Sequence, residues 1–301
     1  MKIPAGTLLS ATILTCFLLL STTSYGQTDS RRSGFTLLSE PVGGRAAAMG
    51  DAFSTVSDDQ TAVYSNPAAA AFTFGKDFVL SHHSSFADVR QSYAGWVYGN
   101  GKRGFGLSLG MHTAGDFDAR TGPTAQPIGT FHLFEVNVGL TYAQRFGRGL
   151  SVGFSAHVLH EDLASERALG FTMDFGFLYR PLAGGLTLGA AVRHVGRMEA
   201  LGQERVALPR EIRAGGSLRR SRFLIAAEAR VQRFGDGGFH VGGEVFPAGA
   251  LALRAGYMGG FDARDWTFGL GLRRTNWRID YAFVPSSLSL GDSHRVSVGI
   301  R

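Results

Sequence analysis

From Lys76 to Arg301 the chain alternates apolar and polar residues with a period of two, which commits it to β-strands with two chemically different faces. Between Phe134 and Phe146, Val136, Val138, Leu140 and Tyr142 share one face, and Glu135, Asn137, Gly139, Thr141 and Arg145 the other. The same pattern sets Phe171, Met173, Phe175, Phe177 and Tyr179 against Thr172, Asp174, Gly176 and Arg180. It sets Trp266, Phe268, Leu270 and Leu272 against Gly269, Gly271 and Arg273. Val296, Val298 and Ile300 against Arg295, Ser297 and Gly299 form a closing strand.

Segments of this kind, divided at Gly, Pro, Asn and Asp turns, number about fourteen, each near the length a tilted membrane strand needs. They are expected at 76–84, 90–99, 103–113, 131–146, 149–161, 168–180, 185–195, 209–219, 222–233, 238–247, 250–258, 265–274, 276–284 and 293–301. Even-numbered connections are short, such as Gly147-Arg148 and Arg220-Ser221. The odd set holds the long ones, 114–130, 196–208 and 285–292. Short turns at one end and long loops at the other are the asymmetry of outer-membrane barrels, with the short side periplasmic. The expected fold is therefore all-β: a transmembrane antiparallel β-barrel of about fourteen strands. A secreted β-sandwich also alternates, but it would not need aromatics at nearly every outward position or so much Gly, Arg and acid opposite them. Hydrophobic residues make up only 44% of the chain, which fits a barrel that confines its apolarity to alternate positions. The net charge of +6 comes almost wholly from Arg spaced along the strands rather than clustered, so nucleic acid is not an expected partner.

The N-terminus reads as an export signal. Lys2 supplies a positive start, Leu8 to Leu20 an apolar run, and Ser24 and Gly26 the small residues before a cleavage site, placing the signal peptide at 1–26. The run is too short to span a bilayer as a helix. A lipoprotein reading of Cys16 is disfavoured by Thr15 before it and by Phe17-Leu18-Leu19-Leu20 after it. Cleavage after Gly26 would leave no cysteine, and with it no disulfide, no Cys-ligated zinc and no thiol catalysis. Exported in this way, the chain is expected in the outer membrane of a bacterium, against its lipid.

Residues 27–75 form a separate N-terminal segment, and from 35 onward they do not alternate. Ser57 with Gln60 is a candidate capping box for a helix from Asp58 to Tyr64, and Asn66-Pro67 a cap and first-turn pair for another from Pro67 to Phe72. A short helical insert rich in Ala and Gly, just ahead of strand one, suits a plug in the lumen of a barrel spanning 76–301.

Arg45-Ala46-Ala47-Ala48-Met49-Gly50, then Asp58-Asp59, then Asn66-Pro67-Ala68 resembles the PorV/PorQ family, which is similar in turn to the FadL-like long-chain fatty acid transporters. Val192-Arg193-His194-Val195-Gly196-Arg197-Met198 with Ala207-Leu208-Pro209, and His294-Arg295-Val296-Ser297-Val298-Gly299 at the end, resemble the same family. The resemblance implies a fourteen-stranded FadL-like barrel. Some members of the family serve type IX protein secretion, which would make secretion-system subunits or secreted proteins the partners. The expected plug motif is Arg45, Met49, Gly50, Asp58, Asp59, Asn66, Pro67 and Ala68.

Other motifs do not carry chemistry. Gly99-x-Gly101-x-x-Gly104 matches a dinucleotide fingerprint but lies between two strands, where a tight hairpin explains it. His157-x-x-His160-Glu161 has metalloprotease spacing, yet on a strand positions 157 and 160 face opposite ways. His82-His83 straddle both faces and read as polar rim. No nucleophile, base and acid stand together, so no enzyme activity, metal or cofactor is expected.

Charges on a lipid face are costly, so Glu135, Arg145, Asp174, Arg193, Arg213, Glu228, Arg230, Glu244, Arg254, Arg273 and Asp280 are expected to face the lumen, with Arg180, Glu211, Arg278 and Arg295. They would form either a polar, anion-favouring channel or, as preferred here, a ladder of Arg–carboxylate pairs filling a closed barrel. The leading functional expectation is a binding or assembly component of type IX secretion. The alternatives are a passive conduit for hydrophobic small molecules, which would make a hydrophobic ligand the partner, and a general diffusion porin.

Overall fold

The computed structural model of the chain describes residues 35–301 except 86–87, 121, 123–125, 182–183, 204–205, 234–236, 261–264 and 287–290. The expected signal peptide, 1–26, and residues 27–34 lie outside the described residues.

Fourteen antiparallel strands close on themselves, each paired with its neighbours in sequence and β1 with β14. They run β1 Phe74–Ser84, β2 Arg90–Asn100, β3 Arg103–Ala119, β4 Gly129–Phe146, β5 Leu150–Leu163, β6 Glu166–Tyr179, β7 Leu186–Met198, β8 Glu211–Arg220, β9 Phe223–Gln232, β10 Gly238–Ala248, β11 Leu251–Gly259, β12 Trp266–Arg273, β13 Trp277–Val284 and β14 Ser293–Ile300. Closure leaves no open sheet edge, the condition for burying a β-sheet in lipid. The connections after even-numbered strands define a turn end and those after odd-numbered strands a loop end. At the β2–β3 turn, Asn100 Oδ1 accepts the Lys102 and Arg103 amides, and Gly101 takes φ +74°. This closes the hairpin that the fingerprint-like glycines mark.

The outward face is apolar around the ring, with Leu80, Leu109, Val138, Val158, Phe175, Ile225, Leu270 and Val298 exposed. Tyr98, Phe105, Tyr142, Phe146, Tyr179, Phe223 and Trp277 mark its turn-end edge, and Phe171, Phe239 and Trp266 its loop-end edge. An apolar band bounded by aromatic girdles is the exterior of a transmembrane barrel.

The structure differs from the sequence expectation in three places. The connection expected at 114–130 is shorter: β3 runs on to Ala119 and β4 starts at Gly129, their pairing stepping through a bulge between Ala114 and Phe117. Alternation is interrupted there because the bulge changes which residues share a face. The helix expected from Asp58 covers Thr61–Ser65 only, and the Ser57–Gln60 capping box does not form. Instead Asp59 Oδ1 accepts the Ala62 amide at 3.3 Å, Gln60 donates to the Tyr93 hydroxyl at 3.0 Å, and Ser57 accepts from Arg180. Partners on the barrel wall outcompete the local cap. In β7, Arg193 and His194 together oppose Asp174, with His194 at φ +59°. This bulge buries both side chains where plain alternation would expose one.

Candidate functional site

The N-terminal segment lies inside the barrel. It begins, among the described residues, with Phe35 and Leu38 packed on Leu159, Leu208 and Met198 near the loop end, and it reaches Thr73 at the turn end. A five-residue helix, Gly44–Ala48, packs on β11–β14, and the 3₁₀ turn Pro67–Phe72 packs on β2–β6.

Both short helices sit against inward glycines. A side chain at Gly104 would strike the Ala70 carbonyl, one at Gly153 the Ala68 amide, and one at Gly176 the Asn66 side chain. Opposite, a side chain at Gly256 would meet the backbone of Met49 and Gly50, and one at Gly269 the Ala48 methyl. Glycine lets two backbones approach closely, which explains its abundance on the inward face. Asn66 ties the segment down. Its Oδ1 accepts the Ala68 amide at 3.1 Å, capping the Pro67 turn, and its Nδ2 donates to the carbonyls of Ser54 at 2.8 Å and Phe177 at 3.2 Å. The Ala68 carbonyl accepts from Ser151 at 2.8 Å. Met49 is buried, and Gly50 turns the chain at φ +61° with its carbonyl accepting from His240 at 2.6 Å.

Arg45, 1% exposed, is the hub of one charge network. Its guanidinium meets Asp58 at 2.7 Å, Asp59 at 2.6 Å and Glu244 at 2.6 Å. Arg254 bridges Glu244 at 3.3 Å to Asp280 at 2.7 Å, and Arg273 stands 3.7 Å from Glu244 and 3.8 Å from Asp58. Burial on its own would raise Asp58 and Asp59. The charge of Arg45, joined by Arg219 and Arg273 at Asp58 and by Arg278 at Asp59, holds both carboxyls well below the usual carboxylate range.

A second network centres on Arg213, which reaches Asp51 at 2.8 Å, Glu211 at 2.9 Å and Glu228 at 3.2 Å. Arg230 binds Glu211 at 2.7 Å and Asp51 at 3.2 Å, and Arg193 binds Glu211 at 2.8 Å while lying 4.4 Å over the Tyr64 ring. Asp174 takes the His194 amide at 2.8 Å and His157 at 3.3 Å. His157 and Glu161 are buried and His160 is not, so His157-x-x-His160 makes no shared ligand set.

Glu135 and Arg145 are among the expected lumen charges that stand apart from these networks. Glu135 lies opposite Glu161 across β4 and β5, away from both networks, each with one buried carboxylate oxygen lacking a hydrogen-bond partner. Arg145 lies 5.7 Å over the Phe72 ring rather than on a carboxylate. Sequence reasoning missed Asp51, Asp77, Arg219 and Arg301. Asp77 pairs with Arg278 at 2.8 Å and Arg301 at 3.0 Å. Its inward parity in β1 was readable; the role of Asp51, at φ +58° in an irregular stretch, had no periodic signal.

A profile of an uncharacterised protein family, UPF0164, matches residues 19–168. A UPF0164 protein of Treponema pallidum (strain Nichols) is 26% identical over 140 residues, 45% of this chain and 35% of that protein, so the match spans about a third of the relative's length. Among solved structures, the Pseudomonas putida toluene transporter TodX superposes with TM-score 0.63 at 15% identity, over 86% of this chain and 97% of its own. The CymD monoaromatic hydrocarbon channel gives 0.70 at 11% identity, over 86% and 97%. A Pseudomonas aeruginosa FadL homologue gives 0.58 at 12%, over 86% and 98%. Identities this low establish a shared FadL-like fold. None of these descriptions names PorV/PorQ.

Proposed function

We propose that this protein is a passive outer-membrane conduit for hydrophobic small molecules, its short turns in the periplasm and the N-terminal segment acting as its plug. The observation that carries the reading is the lumen itself, filled by residues 35–73 and clamped through Arg45 to Asp58, Asp59 and Glu244. A general diffusion porin needs an open aqueous lumen, which a filled one does not provide. The fold shared with TodX and CymD, a toluene transporter and a hydrocarbon channel, supports a hydrophobic cargo. Channels and transporters among the neighbours also support a protein without catalysis. The PorV/PorQ resemblance and its type IX secretion role gain no support from these matches, and the conduit reading takes precedence over them.

The loop-end cluster suggests how entry works. Phe35 and Leu38, each 1% exposed, occupy an apolar seat made by Leu159, Leu208 and Met198. A hydrophobic solute competes for that seat, and the binding free energy of its apolar surface offsets the release of Phe35 and Leu38.

The test is single-channel conductance in planar bilayers, paired with toluene uptake by liposomes carrying the purified protein. The expected result is a silent wild type that takes up toluene, and steady ion conductance after deletion of 35–72. Steady conductance from the wild type would reject the plug; absent toluene uptake would reject the cargo class.

A further inference from the structure

We propose that the turn end of the barrel carries a basic belt that binds anionic phospholipid headgroups in preference to zwitterionic ones. The cations come from hairpins spread around the ring. Lys102 and Arg103 stand at the β2–β3 turn, Arg148 between β4 and β5, Arg220 and Arg222 at the β8–β9 turn, and Arg274 between β12 and β13. All six are exposed.

Nothing in these turns offsets them. The connections of this end, 100–103, 146–150, 180–185, 219–223, 246–251 and 273–277, contain no Asp or Glu. The ion pairs formed here use other cations, Arg219, Arg273, Arg278 and Arg301, on Asp58 and Asp77. The loop end is built the other way. There Arg90, Arg120 and Arg167 lie 3.3, 2.7 and 3.1 Å from Asp88, Asp118 and Asp162. Charges at the loop end close on their neighbours, whereas the turn-end belt projects its field outward.

Depth identifies the partner. Each of these hairpins carries an exposed aromatic on the membrane side of its cations: Phe105, Phe146, Phe223 and Trp277. Girdle aromatics lie at the headgroup level, so cations just beyond them meet lipid phosphates. The Arg274 amide donates to the Trp277 carbonyl at 2.9 Å, which holds that cation one tight turn from its ring. Phosphatidylcholine cancels its own phosphate charge and phosphatidylglycerol does not, so the belt discriminates by net charge.

The inference rests on the membrane reading of the barrel and not on its cargo; failed toluene uptake with intact lipid selectivity would sink the conduit and uphold the belt. The test is native mass spectrometry of the full-length protein in nonionic detergent with equal phosphatidylglycerol and phosphatidylcholine. Wild type is expected to retain phosphatidylglycerol by roughly tenfold at low salt and near parity at about 0.5 M salt. Arg148→Gln, Arg222→Gln and Arg274→Gln together should bring the low-salt preference to about twofold or less, while the folded barrel keeps its mobility on an unboiled gel. The same three positions changed to Lys should retain the preference. Arg90→Gln, Arg120→Gln and Arg167→Gln at the loop end should leave it unchanged. Parity in the wild type, equal loss in the turn-end and loop-end triples, or no loss in the turn-end triple would overturn the belt. Inorganic phosphate that strips phosphatidylglycerol at matched ionic strength, or polyglutamate that binds more tightly than the lipid, would overturn the lipid assignment.

Discussion

The plug meets two walls that hold it differently. Below the loop-end rim, strands β2–β5 present Gly99, Gly104, Ser151 and Gly153, and the Pro67–Phe72 turn touches them backbone to backbone, with no ion pair. Strands β8–β13 present Arg213, Glu228, Glu244, Arg254 and Asp280, and the plug answers with Arg45 and Asp51. Even here glycine makes room: a side chain at Gly271 would collide with the Arg254 guanidinium. The neutral wall specifies position by shape and gains little from any one atom. The charged wall specifies it through shared buried ion pairs, so losing one side leaves the other underpaired.

Arg45→Met should break the contrast most severely. It leaves Asp58, Asp59 and Glu244 facing one another in a confined space, a loss of about 3–5 kcal/mol for breaking a buried ion network from one side. Urea unfolding in detergent should show the lower midpoint, and planar bilayers should show conductance that the wild type lacks. A silent, fully stable Arg45→Met would mean the charged wall is not the anchor.

Gly104→Val tests the neutral wall. Its side chain must displace the Ala70 carbonyl, so we expect the 67–72 turn to lift at a cost of about 1–3 kcal/mol, the range for overpacking. A cysteine at Ala70 should then label with a periplasm-side thiol reagent, while the Arg45 network stays intact. If labelling does not increase, the turn is held by more than shape.

The barrel was legible because lipid imposes one rule on every strand, and Val136, Val138 and Leu140 obey it whatever their neighbours do. The plug was legible as a segment and at the Asn66-Pro67 cap, where the signal is local. Its partners were not. Nothing in sequence couples Arg45 to Glu244, which lie in different elements and meet only once the ring has closed. The Ser57–Gln60 pair failed for the same reason, since Arg180 and Tyr93 claim those side chains from the wall. The bulge at Arg193 and His194 hid too: an extra residue shifts parity without changing composition.

Asn66→Ala should have a smaller effect than either wall substitution. It removes the cap on Ala68 and the donor to Ser54 and Phe177, leaving carbonyls that other groups partly satisfy. A loss of about 1–2 kcal/mol is expected, with the Pro67 turn looser and the charged wall unaffected. Asn66→Asp keeps the capping oxygen and loses the donor, so it should recover the cap alone. Equal losses for both variants would show that the ties to Ser54 and Phe177, not the cap, fix the turn.

Acid should release the charged wall and spare the neutral one. Asp58 and Asp59 are held below their ordinary values, so their contribution is complete above an unfolded value of about 4 and is lost as pH falls toward the depressed folded values. Between pH 5 and 8, roughly, these two carboxyls stay ionised in both states and the plug should hold with no change in conductance. Below about pH 4 the clamp should weaken progressively, and conductance should appear while Ala68 to Ala71 remain seated on their glycines. Replacing both carboxyls, Asp58→Asn with Asp59→Asn, should abolish the acid dependence and leave a plug that is weaker at every pH. A conductance onset near neutral pH in the wild type would point to another group as the trigger and remove the Arg45 clamp from the account of opening.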